Sequence, residues 1–162
     1  MPPSRLWTKE ELILAFNLYL KIAFGKTHSN NPKIIELANL INRTPASIVM
    51  RLGNFASIDP FHINRGISGL KNGMNQVQPI WNEFFHNQEE LIYISEQILA
   101  QKENTSIEKK YENILFDLKE LKGENVIRAV KTRVNQSVFR QMVLSNYNNK
   151  CCLLYTSPSP RD

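Results

Sequence analysis

The sequence predicts a mainly α-helical chain, and three observations carry that prediction. Apolar residues recur at helical spacing in most of the segments between turns. Each of the first three periodic runs opens with a helix-start signal: Thr8 with Glu11, Asn31-Pro32 and Thr44-Pro45. Two later runs are amphipathic with mixed charge and are separated by the polar turn Asn104-Thr105-Ser106.

The first helix opens at Trp7-Thr-Lys-Glu-Glu11. Thr8 and Glu11 have capping-box spacing, so each side chain can satisfy a backbone amide that the helix start leaves without a partner. Leu12, Ala15, Phe16, Tyr19, Leu20 and Ala23 form the predicted inner stripe, and Gly25 the stop. In the second helix, Asn31 is the cap and Pro32 the first helical residue. Ile34, Ile35, Leu37, Ala38 and Ile41 supply its buried side, and it ends near Asn42-Arg43. Thr44 and Pro45 start a third helix at once, with Ile48, Val49, Leu52 and Phe55 facing inward. Two short helices joined by a few residues have the form of a helix-turn-helix.

From Ser57 to Gln78 the periodicity breaks up, and Asp59-Pro60, Gly66, Gly69 and Gly73 predict a looped or extended connector. Helical character returns at Pro79-Ile80-Trp81, then over Asn87–Gln101 and Ile107–Leu121. Leu91, Ile94 and Ile98 in the first of these, and Tyr111, Leu115 and Leu118 in the second, suggest a packed hairpin or a short coiled coil. Val126–Val134 alternates apolar and basic residues and reads as a strand or an extended linker. Asn135 then caps a last helix lined by Val138, Phe139, Met142, Val143 and Tyr147, with a turn over Asn146–Lys150.

Composition sets bounds. Hydrophobic content of 42% is enough for a core, and the longest apolar runs are far too short to span a bilayer. The start Met-Pro-Pro-Ser-Arg lacks an apolar signal core, and the cysteines are confined to Cys151 and Cys152. Both fit a cytoplasmic protein. Net charge is +5 with a sequence pI near 9.3, which permits a polyanionic partner. Positive charge gathers in Asn125–Lys150, where Arg128, Lys131, Arg133, Arg140 and Lys150 face only Glu124 just before them.

The last eleven residues, Cys152–Asp162, back-translate codon for codon into an end sequence and adapter of a transposase-based sequencing library. They are therefore read as adapter-derived and set aside from the fold. On that reading the natural frame continues past Cys151.

Two constellations could meet nucleic acid. With Ile48, Val49, Leu52 and Phe55 inward, helical rotation turns Ala46, Ser47, Met50, Arg51 and Asn54 outward. Such a face could enter a major groove, Arg pairing with guanine and Asn with adenine, with Ser47 or the helix-start amides on phosphate. The basic segment Arg128–Arg140 could track a phosphate backbone, although on composition alone a solvated surface is the better account. Catalytic groups are scarce. His28, His62 and His86 stand in or beside predicted loops without partners at metal-ligand spacing, and His62 near Asp59 and Arg65 reads as structural.

Arg43–Pro60 (RTPASIVMRLGNFASIDP), with WTKEEL from Trp7 and RGISGL from Arg65, resembles the N-terminal region of a group of bacterial HNH restriction endonucleases. Thr132–Cys151 (TRVNQSVFRQMVLSNYNNKC) resembles the stretch that immediately precedes the nuclease motif in the same group. The two segments occur in the expected order. The resemblance implies a ββα-metal nuclease module after the Tyr-x-x-x-Cys stretch, in which one histidine activates water. A second histidine or an acidic residue there would hold a divalent ion that stabilises the leaving phosphate oxygen. None of those residues lies in this chain, so no catalytic residue and no metal ligand is carried over.

The expectation is a mainly α fragment of a restriction endonuclease, which binds double-stranded DNA and lacks the catalytic motif. Residues 1–78 are the helix-turn-helix-like DNA-binding region, 79–124 a helical connector, 125–151 the lead-in helix of the nuclease domain, and 152–162 the adapter-derived tail. Arg43, Ser47, Met50, Arg51, Asn54, Arg128, Lys131, Arg133 and Arg140 are the expected DNA contacts. No cofactor is expected in the fragment, and a divalent metal is expected in the full-length parent. A second reading is a stand-alone helix-turn-helix regulator, a homodimer formed through the Asn87–Leu121 hairpin. A third is a protein-interaction module that uses its long helices.

Overall fold

Satisfied helix starts account for much of the architecture. In the computed structural model, which describes residues 6–66, 71–115 and 124–146, α1 (Lys9–Lys21) opens with a closed capping box. Thr8 Oγ1 accepts from the Glu11 amide at 3.3 Å, and Glu11 Oε2 accepts from the Thr8 amide at 3.0 Å. Asn31 caps α2 (Pro32–Leu40) by accepting from the Lys33 amide, and Thr44 caps α3 (Pro45–Ala56) by accepting from Ser47. Each has proline in its first turn, where a missing N–H costs nothing. Between them Asn42 takes φ 54°, the left-handed conformation that ends a helix tightly. Both helices thus start where the sequence places their caps.

Asp59 caps a single turn, α4 (Pro60–Ile63), and α5 (Lys71–Phe84) and α6 (Gln88–Lys102) follow. Ser106 caps α7 (Ile107–Lys110), which leads to α8 (Glu112–Leu115) and the long α9 (Glu124–Asn146). The described residues are mainly helical and contain no strand. None of the described helices is long and apolar enough to cross a membrane. The chain divides into two compact units, Met1–Asn104 and Thr105–Asp162.

In the first unit α1 is the central helix. Its residues from Glu11 to Tyr19 are all buried, because α2, α3, α5 and α6 all pack against it. Phe16 stacks on Phe55 with ring centroids 4.7 Å apart and planes 9° apart, and meets Trp81 at 5.2 Å. Trp81 in turn stacks on Phe85 at 4.5 Å. Such pairs each add about 0.5–1.5 kcal/mol beyond the area they bury. Ile34, Leu37, Ile48, Leu52, Val77 and Leu91 close the core around them.

A polar seam fixes how α6 lies along α1. Asn17 Nδ2 donates to Ser95 Oγ at 2.5 Å, and Lys21 Nζ pairs with Glu96 Oε1 at 2.9 Å. Both Asn17 and Glu96 are buried, so a slip of one helix past the other would strand polar groups in the core.

Four expectations are corrected. The connector expected over Ser57–Gln78 contains α4 and most of α5, and Pro79 lies inside α5 rather than starting a helix. Val126–Val134 is neither strand nor linker but the first half of α9, and Asn135 lies within that helix instead of capping it. The four-residue spacing of Val130, Val134 and Val138 decides this, since all three are buried on one side. The Asn87–Gln101 run forms α6 as expected, but its apolar side lies on α1. Finally, α1 stops at Lys21, and Gly25 falls in a separate 3₁₀ turn, Phe24–Lys26. In the second unit Ile107, Leu115, Val130, Val134 and Val138 are buried, and α8 packs on α9. The expected helix over 116–121, the turn at 147–150 and the tail at 152–162 lie outside the described residues.

Candidate nucleic-acid interface

Of the face expected to point outward from α3, Ala46 and Met50 are exposed and Ser47 is half-buried, whereas Arg51 and Asn54 are each only 9% exposed. The outward placement of Arg51 and Asn54 is therefore corrected. The cause is α5, which packs on this side of α3. It comes so close that a Cβ at Gly73 would fall on the Asn54 side-chain amide. Only glycine admits that approach. Arg51 Nη1 reaches the Gly73 carbonyl at 3.5 Å, and its Nε is buried without an acceptor among the described residues.

Arg43 is also drawn inward. Its Nη2 donates to Glu11 Oε2 at 2.8 Å and to the Leu6 carbonyl at 2.9 Å. The Glu11 oxygen that closes the capping box is thus also the ion-pair partner of Arg43. The indole of Trp7 lies against both arginines, with guanidinium carbons 4.2 Å (Arg43) and 4.7 Å (Arg51) from its ring. Burial, and secondly the positive charge of Arg43, push the Arg51 guanidinium below its ordinary pKa. Sequence reasoning missed Trp7 and Glu11 as parts of this cluster. Helical spacing shows which side of a helix a residue occupies, but not which neighbour covers that side. The available signal was the position of Trp7 immediately before a capping box, where an apolar residue commonly folds back on its surroundings.

The basic C-terminal segment is different. In α9 Arg128, Arg133 and Arg140 are exposed and Lys131 is half-buried. Arg128, Thr132 and Gln136 follow four-residue spacing on the side opposite Val130, Val134 and Val138. Asn125, Arg128, Ala129, Thr132, Arg133 and Gln136 border an open groove of about 570 Å³. Thr132 Oγ1 donates to the Arg128 carbonyl at 2.9 Å. Phe139, 64% exposed, follows the same exposed side toward the C-terminal end. Within α9 itself, Glu124 is the one acid among Arg128, Lys131, Arg133 and Arg140.

Asp59 and His62 both meet Tyr19. Asp59 Oδ1 accepts from the Phe61 amide while Oδ2 accepts from Tyr19 Oη at 2.6 Å. His62 is buried and meets the Tyr19 ring edge-on at 6.4 Å. Arg65 lies over Phe61. Burial, then the hydrogen bond and charge of Asp59, raise the Tyr19 hydroxyl well above the ordinary phenol range. Among the described residues no group of three or more His, Cys, Asp and Glu could hold a metal ion. No donor set among the described residues therefore fits the divalent ion that the resemblance implies for a full nuclease. No family model matches the chain, and no curated protein or solved structure matches it either.

Proposed function

We propose that this chain is the DNA-docking part of an HNH-type restriction endonuclease, with double-stranded DNA as its partner and the exposed face of α9 as its main contact. The parent enzyme would hydrolyse phosphodiester bonds with a divalent metal held by residues outside this chain. One observation carries the docking surface: Arg128, Arg133 and Arg140 stand exposed on α9, away from the buried Val130, Val134 and Val138. Arg43 and Arg51, the other arginines expected to touch DNA, are largely buried against Glu11, Trp7 and Gly73. Met50 and Ser47 remain as surface residues of α3 that could add a contact.

Guanidinium groups that neutralise phosphates release counterions, so they are read in the salt dependence of binding. Replacing Arg128, Arg133 and Arg140 together by Ala should weaken duplex binding. It should also flatten the plot of log affinity against log salt by about 0.9 for each phosphate that is no longer neutralised. Fluorescence anisotropy with a labelled duplex at several salt concentrations makes the measurement. Equal affinity and equal slope in the variant and the parent chain would sink the α9 assignment.

A further inference from the structure

Arg51 is the charged group that the fold treats least generously. It is 9% exposed, its Nε is buried without an acceptor, and no carboxylate pairs with it among the described residues. Its polar contact is the Gly73 carbonyl at 3.5 Å, at the outer limit of a hydrogen bond. A second guanidinium, Arg43, lies against the same indole. A buried guanidinium keeps its proton and needs a counter-charge, because desolvation without one is costly. The Glu11 carboxylate is bound to Arg43 and to the start of α1, which leaves Arg51 served by a π face and a distant carbonyl.

What covers the pair is the Trp7 indole. Trp7 precedes the Thr8 cap, outside α1, and its neighbour Leu6 is 79% exposed. The indole can therefore leave without unwinding a helix, at the cost of its packing on the core and of the Arg43–Leu6 hydrogen bond. Its departure would open Arg51 to an oxyanion, for which its guanidinium supplies the planar donor pair that phosphate accepts while Arg43, held by Glu11, adds its positive charge beside it.

We propose that Arg51 and Arg43 form a phosphate-binding site over which Trp7 closes as a lid, so that an incoming phosphate group and the indole compete for the same two guanidiniums. The site belongs to the first unit and is independent of the α9 surface. The shared chemistry is a phosphate oxyanion, supplied by a nucleic-acid backbone or by a free phosphate, and only the nucleic-acid source rests on the DNA-binding reading.

The test is binding of inorganic phosphate, and separately of a duplex oligonucleotide, to the full chain in phosphate-free buffer by calorimetry. Trp7→Ala should tighten phosphate binding roughly threefold to thirtyfold, the range set by releasing one or two cation–π interactions. Trp7→Phe, which keeps a ring with a weaker cation–π interaction, should give a smaller gain and serves if the alanine variant is unstable. Adding Arg51→Met to either variant should abolish the gain, with circular dichroism reporting that the helices persist. In the parent chain, phosphate should increase acrylamide quenching of tryptophan emission, and Trp7→Phe should remove that response. A gain with phosphate but not with duplex supports the site with a small phosphate as its source. A gain with both supports nucleic acid. No gain with either, or a gain that survives Arg51→Met, overturns the proposal whatever the outcome for α9.

Discussion

Single side chains decide how α3 and α5 meet. Gly73 was legible only as a helix breaker, because its use depends on Asn54, nineteen positions away in the chain and invisible to local pattern. Gly73→Ala sets two effects against each other. Alanine favours a helix interior by about 1 kcal/mol, whereas forcing a methyl into a packed interface costs about 1–3 kcal/mol. The group struck is the buried Asn54 amide, so the steric cost should win and urea denaturation should show a net loss of about 1 kcal/mol or more. Asn54→Ala on top of it should recover part of that loss. Tyr19 offers a second test, through pH. The folded protein holds the Tyr19 proton more tightly than the unfolded chain does. The stability this contributes is intact below about pH 10, the ordinary phenol value, and declines as pH rises above it. Thermal melts of Tyr19→Phe should therefore fall less steeply on the alkaline side than those of the parent chain.

Among elements, α1, α2 and α3 were readable from a cap followed by an apolar stripe, whereas α4, capped by Asp59, reads as connector and Asn135 reads as a cap although it lies inside α9. Thr8, Asn31 and Thr44 each accept a backbone hydrogen bond at the place their spacing indicates. For α5 the sequence offers three glycines and a proline nearby, and burial of Val77, Ile80, Trp81 and Phe84 overrides them. The first half of α9 was ambiguous because its apolar residues satisfy both a two-residue and a four-residue repeat. The two repeats separate at positions 132 and 134, which share a face in a strand and not in a helix. Val134→Ala should cost roughly 1–3 kcal/mol as a core truncation, and Thr132→Ala should stay within about 0.5 kcal/mol. Similar costs at the two positions, measured by thermal denaturation, would contradict a helical register.

At the scale of the molecule, the aromatic and aliphatic core of the first unit is drawn from α1, α2, α3, α5 and α6. A chain ending at Asn104 should accordingly fold alone, with a cooperative melt and a near-ultraviolet circular dichroism signal from the Phe16, Phe55 and Trp81 cluster. A broad, non-cooperative transition would show that the core needs residues beyond 104. The basic character of the C-terminal segment could be read directly from composition, and helical geometry then turned it into a surface. The α3 face could not be read in the same way, because a tertiary neighbour covers it.

The double use of Glu11 couples events that most helical chains keep separate. Its Oε2 receives both the Thr8 amide, which is local, and the Arg43 guanidinium, which lies beyond the next helix. Nucleating α1 and docking the α2–α3 turn thus draw on the same lone pairs, so neither reaches full strength early in the folding reaction. Substitutions at Thr8 and at Arg43 should then show matching φ-values, the kinetic mark of a helix that completes its first turn only as its neighbours arrive.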